Sequence, residues 1–392
     1  MKYRNLPVRR FVAVLIGIFL LCTGLLKLMD PEGTRLIVTE YCKFFHLRFL
    51  IPAAKVLGMV LSLLESALGV ALITGIARRV SAWATYILLG FFTLITFILW
   101  RANPEMDCGC FGEAYHLTHL QSLLKNVVLL LLAVFAFTPM SSLDTPRTRR
   151  QVAAWVAWVS LVVALVYCNR HIPLVDFTDY KPGTVLFASD NAASSPVRDS
   201  YRPSYVYEKD GRQETFTLEN LPDSSWTFVK VDTLRRRSLG HRAENPVLSF
   251  RDAQGDYQDA LAARDQAVVF SVYEPDRAPW DKIRERFDAV QRSGARPLLL
   301  LTALPSEEAA LEGLPAYFAD YRTLISLNRD NGGATYFYEG ELVAKWGVRD
   351  FPKHLSDVLA DDPVDLSTHV AARKRILAQG FCVYLGAVLI LL

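Results

Sequence analysis

Cys108-Gly109-Cys110 lies in a short polar loop, Arg101 to Gln121, between two long apolar runs. Two thiols one residue apart have three chemistries open to them: exchange with a partner's disulfide, structural bridging to distant cysteines, or metal ligation. A direct bridge across one residue is strained, because near neighbours rarely meet disulfide geometry. Strained, exposed disulfides are the labile and catalytic kind, and Gly109 supplies the backbone freedom such a bridge needs. Structural pairing would instead use Cys42 or Cys168. The remaining cysteines, Cys22 and Cys382, fall inside apolar runs, where a thiol behaves as a small buried hydrophobe. His116 and His119 extend the motif to Cys-x-Cys-x5-His-x2-His. Thiolate and imidazole suit zinc or copper, although the spacing matches no standard zinc pattern.

Four ionisable residues stand in apolar surroundings, where charge is costly and marks function by default. Lys27, Lys55 and Lys125 fall near the level of the Cys108 loop, and Glu65 lies about 15 Å below Lys55 on the same helix at 1.5 Å per residue. Snorkelling to the headgroups accounts for Lys27 and Lys125. Glu65 needs a partner or a water-filled pocket. Lysines around the loop favour thiolate at Cys108 or Cys110, while Glu105 and Asp107 oppose it. Lys27, Lys55, Glu65 and Lys125 are also the candidate lining of a quinone pocket.

The elements that must carry these groups are apolar helices. The chain has 392 residues, 52% of them hydrophobic, with the apolar residues concentrated before about residue 168. A helical span of a bilayer takes roughly 17–25 mostly apolar residues. Phe11–Met29, Leu50–Gly75, Val80–Trp100, Ser122–Met140 and Val152–Cys168 qualify, and Ile376–Leu392 is a shorter sixth run. Continuous runs indicate helices, which satisfy their own backbone in lipid. Phe11–Met29 follows basic residues as a signal peptide would, but Lys27 stands where small cleavage-site residues are needed, so a retained helix is expected. Basic residues alternate between loops: Lys2, Arg4, Arg9 and Arg10, then Arg78 and Arg79, then Arg147, Arg149 and Arg150. The positive-inside rule places that set in the cytoplasm and the Cys108 loop outside, with the domain after Cys168. Arg373, Lys374 and Arg375 oppose that rule for the last run. A net charge of +3 gives no argument for nucleic acid.

Motifs in this framework carry a resemblance. Gly24-x-x-Lys27-x-x-Asp30-Pro31 and Glu65-x-x-x-Gly69 with Gly75 resemble DoxX-type membrane proteins. Asp107-Cys108-Gly109-Cys110-Phe111-Gly112, followed by Lys125-Asn126 opening the fourth helix, resembles the methylamine-utilisation MauE branch. The resemblance spans roughly residues 8–142 and implies a four-helix, redox-associated membrane unit. MauE-type proteins are linked to disulfide formation in methylamine dehydrogenase, and DoxX relatives to sulfur or quinone redox. The large outer domain departs from a minimal MauE protein.

In the second half, Asp210-Gly211 marks a hairpin, and Ser225–Val231 a further strand. From about residue 245 the pattern is strand Ala267–Tyr273, helix Trp280–Arg292, strand Pro297–Thr302, a Ser-capped helix from Ser306, and a hairpin of Ala334–Tyr338 with Glu341–Trp346. This order resembles the thioredoxin fold over residues 245–352. Glu274-Pro275-Asp276-Arg277-Ala278-Pro279-Trp280 stands where that fold carries Cys-x-x-Cys, and Ala334 where it carries a cis-proline. The resemblance therefore implies docking or client positioning for this domain, with no thiol exchange of its own.

The expected fold class is a multi-pass α-helical membrane domain followed by an α/β thioredoxin-like periplasmic domain. The expected division is a four-helix unit at 1–145, a fifth helix at 146–170, an extended β-rich lead-in at 171–244, a domain at 245–360 and an apolar segment at 373–392. The expected function is thiol–disulfide or electron transfer to a periplasmic protein at a bacterial inner membrane, with Cys108 and Cys110 as the reacting pair. A scaffold with structural disulfides and a metal-handling protein are the alternatives. A transporter has no paired interrupted helices or repeat symmetry to support it.

Overall fold

The computed structural model describes residues 6–104, 106, 108–115, 117–138, 148–186, 200–209, 212–216, 226–236 and 248–391. Its first half is a helical bundle of α1 (Leu6–Met29), α2 (Pro31–Phe44), α3 (Ala54–Thr74), α4 (Arg78–Ala102), the short strand β1 (Cys110–Glu113), α5 (His119–Phe137) and α6 (Thr148–Arg170). Five stretches are long and apolar enough to cross a membrane: Pro7–Met29, Arg48–Thr74, Arg78–Ala102, His119–Phe137 and Thr148–Arg170. Their outward faces are rich in exposed apolar side chains such as Phe11, Val80, Ile87, Leu131 and Val163, which a hydrocarbon solvent accepts and water does not.

Small residues set how the bundle closes. A Cβ at Gly24 would lie 2.3 Å from Ser66 Oγ, and one at Gly69 would lie 2.6 Å from Leu21 N. Their absence lets α1 and α3 touch along their backbones, the usual means of tight helix contact in lipid. α2 departs from the membrane pattern: Asp30 caps it by accepting from Gly33 N at 2.9 Å, and Pro31 occupies its first turn. α5 starts a turn earlier than the apolar run suggests. Thr118 and Gln121 form a reciprocal capping box there, so Lys125 and Asn126 lie inside the helix and do not open it.

A three-stranded antiparallel sheet, order β3-β2-β4, comes next: β2 (Ser200–Lys209), β3 (Arg212–Phe216) and β4 (Thr227–Arg236). Lys209 pairs with Arg212 in register, so β2 and β3 form the hairpin expected there. Asp210 and Gly211 themselves lie outside the described residues.

The last part holds β5 (Gln266–Val272), α7 (Trp280–Arg292), β6 (Arg296–Leu301), β7 (Ala316–Phe318), α8 (Tyr321–Leu327), β8 (Gly333–Tyr338), β9 (Glu341–Trp346), α9 (Leu355–Ala360) and α10 (Pro363–Leu391). Its sheet has the order β7-β6-β5-β8-β9, with β5, β6 and β7 parallel and β8 and β9 antiparallel to their neighbours. β5 is buried on both faces. Val268, Phe270 and Val272 pack towards α7 and α9, while Ala267 and Val269 pack towards Leu324, Ile325 and Leu327 of α8.

Two sequence expectations need correction here. The Ser-capped helix from Ser306 is only a 3-10 turn, Glu308–Leu311. The Ser306 backbone N–H is held instead by Asp276 Oδ1 at 2.8 Å, and the true helix of this crossover is α8, capped by Asp320. The segment after α6 is also more than a lead-in: Tyr180 and Leu186 enter the core, and Leu186 N donates to Gly340 O at 2.7 Å. The apolar tail is the second half of α10, a helix of 29 residues and about 43 Å at 1.5 Å per residue. Leu366 and Val370 pack on the sheet domain, and Tyr384, Leu385 and Val388 join α6 in the bundle.

Candidate functional site

The Cys108 loop, the C-terminal ends of α1 and α6, and the sheet domain all lie at one end of the bundle. Arg9, Arg10 and Arg78 line a small cavity at the other end. None of the six cysteines is bonded to another.

The loop is built from its helix ends. α4 stops at Asn103, which takes a left-handed φ of 46° and donates to Leu99 O. α5 opens on His119, fixed by the capping box one residue earlier. Between them Cys108 is buried and Cys110 half-buried. Cys108 Sγ is 3.0 Å from His119 Nδ1, and His119 Nε2 is 3.0 Å from the Pro104 carbonyl oxygen. A carbonyl only accepts, so Nε2 carries the ring proton and Nδ1 is the acceptor facing the thiol. The Tyr41 hydroxyl donates to the Cys108 carbonyl. Gly109 has a φ of 58°, and a Cβ there would come within 2.3 Å of Ile37. Both the backbone conformation and the space against α2 therefore call for glycine.

Phe111 seals the loop onto the bundle. Its ring meets Phe19 edge-on at 5.9 Å and Tyr115 at 6.3 Å. Lys125 Nζ lies over both aromatic faces, 5.3 Å from Phe111 and 5.5 Å from Phe19. Gly112 rests on Lys27. Lys27 does not snorkel: it is 6% exposed and pairs with Glu65 at 2.6 Å, while Thr23 donates to the other carboxylate oxygen. Glu65 thus has its partner in the neighbouring helix. Lys55 pairs with Glu32 at 2.5 Å.

The four residues proposed for a quinone pocket are therefore dispersed. Lys27 and Glu65 neutralise each other inside the bundle, Lys125 sits over aromatic rings, and Lys55 alone lines the large cavity at the domain interface. Of the suggested metal ligands, His119 reaches Cys108, and His116 lies outside the described residues, as do Glu105 and Asp107. Among the described residues no group of three or more His, Cys, Asp or Glu side chains stands ready to hold a metal ion.

Arg329, which sequence reasoning missed, connects the halves. It follows α8 on the sheet domain, with its side chain 3% exposed, and its Nη2 lies 3.1 Å from Asp30 and 3.3 Å from Glu113. Burial pushes the Asp30 carboxyl above its ordinary range, with the Arg329 guanidinium pulling it back. Glu113 is three residues after Cys110, so the domain grips the strand that carries the thiol. Around this lock, Arg35 of α2 binds Glu274 at 2.6 Å and the Tyr321 hydroxyl at 2.6 Å, Arg322 binds Glu40 at 2.9 Å, and His171 meets Asp350 at 2.8 Å. The signal in sequence was slight: one arginine two residues beyond Leu327, the last residue of α8.

Long apolar helices closing over a thiol-bearing loop define a multi-pass membrane protein. Residues 7–139 match the family model of the methylamine utilisation protein MauE, so the membrane unit is similar to that family over about a third of the chain. Residues 201–235 match a domain of unknown function (DUF8463). No curated protein and no solved structure matches the chain.

Proposed function

We propose that the protein is a thiol–disulfide exchange component of a bacterial inner membrane, acting on a periplasmic protein through Cys108 and Cys110. The observation that carries this reading is the Cys108–His119–Pro104 arrangement. An imidazole oriented by a backbone carbonyl and facing a thiol is the geometry of an activated nucleophile. The N-terminus of α5 adds positive potential that favours thiolate.

Accessibility divides the roles. Cys110, half-buried, attacks the partner's disulfide; one partner sulfur joins Cys110 in a mixed disulfide and the other leaves as thiolate. Cys108 gives its proton to His119 Nδ1 and attacks Cys110 Sγ, releasing the first partner sulfur. Two electrons pass from the Cys108–Cys110 pair to the partner, and the proton held by His119 goes to the departing thiolate. The same steps run backward oxidise a partner dithiol, the direction that a strained bridge across one residue favours.

The strand order of the last domain supports the thioredoxin-like reading: two parallel strands joined by a helical crossover, then an antiparallel hairpin. Glu274 to Trp280, where a redox pair would stand, faces α2 through the Arg35–Glu274 ion pair. That face is occupied by the bundle, which suits a domain that positions clients and performs no exchange. The similarity to MauE supports a place in methylamine utilisation, and the arginine-rich opposite end supports an outward-facing loop.

The test is exchange between the full chain and a model disulfide peptide. Cys110→Ala abolishes mixed-disulfide formation, whereas Cys108→Ala traps it. Undiminished turnover in the double Cys→Ala protein sinks the reading.

A further inference from the structure

At the end of the bundle opposite the thiol loop, Arg9, Arg10 and Arg78 line a small cavity between the start of α1, the end of α3 and the start of α4. Ala13, Leu72 and Phe137 give it apolar walls, and none of its described lining residues is acidic. Arg10 is fixed by two carbonyls at the end of α3: Nη1 donates to Leu72 O at 2.6 Å, and Nη2 donates to Ile73 O. Gly75 makes room for that guanidinium, since a Cβ there would lie 3.0 Å from it. Arg78 Nε donates to Gly75 O at 3.1 Å. Carbonyls are neutral, so these bonds occupy donors and leave the positive charge in place. Arg9 lies over the Phe135 ring, 5.8 Å from its centroid, and its Nε is buried with no hydrogen-bond partner among the described residues. A buried donor without an acceptor is costly. Among the described residues no carboxylate pairs with Arg9 or Arg10, and Arg78 and Arg150 are near enough to Arg10 to repel it.

We infer that this cavity binds the phosphate group of an anionic phospholipid, with Arg9 and Arg10 as the residues that hold it. Its volume of about 50 Å³ accommodates roughly three to five oxygen-sized atoms at about 10–15 Å³ each, the scale of one phosphate group. Guanidinium forks match phosphate oxygens, and the Arg9 Nε–H finds there the acceptor that the protein does not supply. Position selects a lipid over a free anion. Arg9 and Arg10 stand in the first turn of the Pro7–Met29 span and Arg78 opens the Arg78–Ala102 span, so the cavity lies at headgroup depth. Exposed Phe11, Val80 and Trp83 on the same two helices offer acyl chains an apolar surface. Charge selects the head: with no acidic residue among the described lining, the ammonium of a zwitterionic lipid would meet nothing to receive it. This site is separate from the thiol loop and does not depend on the exchange reading.

The experiment is native mass spectrometry of the full chain, loaded with phosphatidylglycerol or with phosphatidylethanolamine of identical acyl chains, with and without excess inorganic phosphate. Phosphatidylglycerol is expected to stay bound through gentle activation, about tenfold more than phosphatidylethanolamine, and to resist displacement by inorganic phosphate. Arg9→Gln lowers its retention about tenfold, the scale of one charge-assisted contact. Arg79→Gln, exposed at the same end of the bundle but outside the cavity, leaves retention unchanged. Should Arg9→Gln not fold, the discrimination between the two lipids by the unaltered chain still decides. Equal retention of the two lipids, equal losses in Arg9→Gln and Arg79→Gln, or displacement by inorganic phosphate would each overturn the assignment, the second by exposing diffuse surface attraction and the third a free-anion site.

Discussion

His119 gives Cys108 a proton acceptor, and that role can be separated from structure. In a chain with Cys22, Cys42, Cys110, Cys168 and Cys382 replaced by alanine, His119→Ala should slow iodoacetamide alkylation of Cys108 at neutral pH about tenfold, from loss of the group that favours its thiolate. An unchanged rate would mean that the 3.0 Å contact is only packing. Lys27 and Glu65 pose the opposite question, whether a pair matters or merely balances. Lys27→Met strands a buried carboxylate and should cost about 3–5 kcal/mol in thermal unfolding, whereas Lys27→Met with Glu65→Leu should recover most of that, because an apolar pair of similar size replaces a buried ion pair at little cost. The sequence announced these charges as expensive, since any ionisable group in an apolar run is conspicuous. It did not announce their partners. Lys27 and Glu65 lie in different helices, and only the close approach through Gly24 and Gly69 brings them together.

Element by element, what the sequence revealed follows local physics. α7 was visible because Ile283, Phe287 and Val290 keep helical spacing, and the β8–β9 hairpin because Glu339-Gly340 takes the left-handed turn its strands require. α8 was hidden: its seven residues are too short to display a helical period, although Leu324, Ile325 and Leu327 are buried. Where the sequence suggested a helix from Ser306, Asp276 binds the Ser306 N–H and only a 3-10 turn, Glu308–Leu311, follows. Arg329 belongs to this scale as well, because it fastens a loop after α8 to both α1 and β1. Arg329→Ala should weaken docking by about 2–5 kcal/mol, most of it the penalty of leaving Asp30 buried and unanswered. Faster hydrogen exchange along α2 and β1, with exchange in β5 unchanged, would register it; uniform protection across all three would not fit the lock.

At the scale of the whole molecule, the thiol loop and the sheet domain share one end of the bundle and the arginines hold the other. Labelling intact cells with a bulky, impermeant maleimide should modify Cys110 after mild reduction and should not modify a cysteine placed at Arg79. The reverse pattern would invert the topology. The spans could be read from hydropathy alone, because lipid imposes a simple code of length and polarity. The docking could not, since it rests on single charges contributed from distant parts of the chain.

The course of α10 has a mechanical consequence. The chain leaves the bundle through α6, builds the sheet domain, and returns beside α6, so the domain is tethered at both ends. Those two attachments, with the Arg329 and Arg35 ion pairs, hold it against the end of the bundle. A single proteolytic cut between α6 and β5 would leave it anchored through α10, and a second cut before Ile376 would be needed to free it. Two-point attachment also keeps the domain close to the thiol loop, so under the exchange function proposed above a client held on its surface would be presented near Cys110.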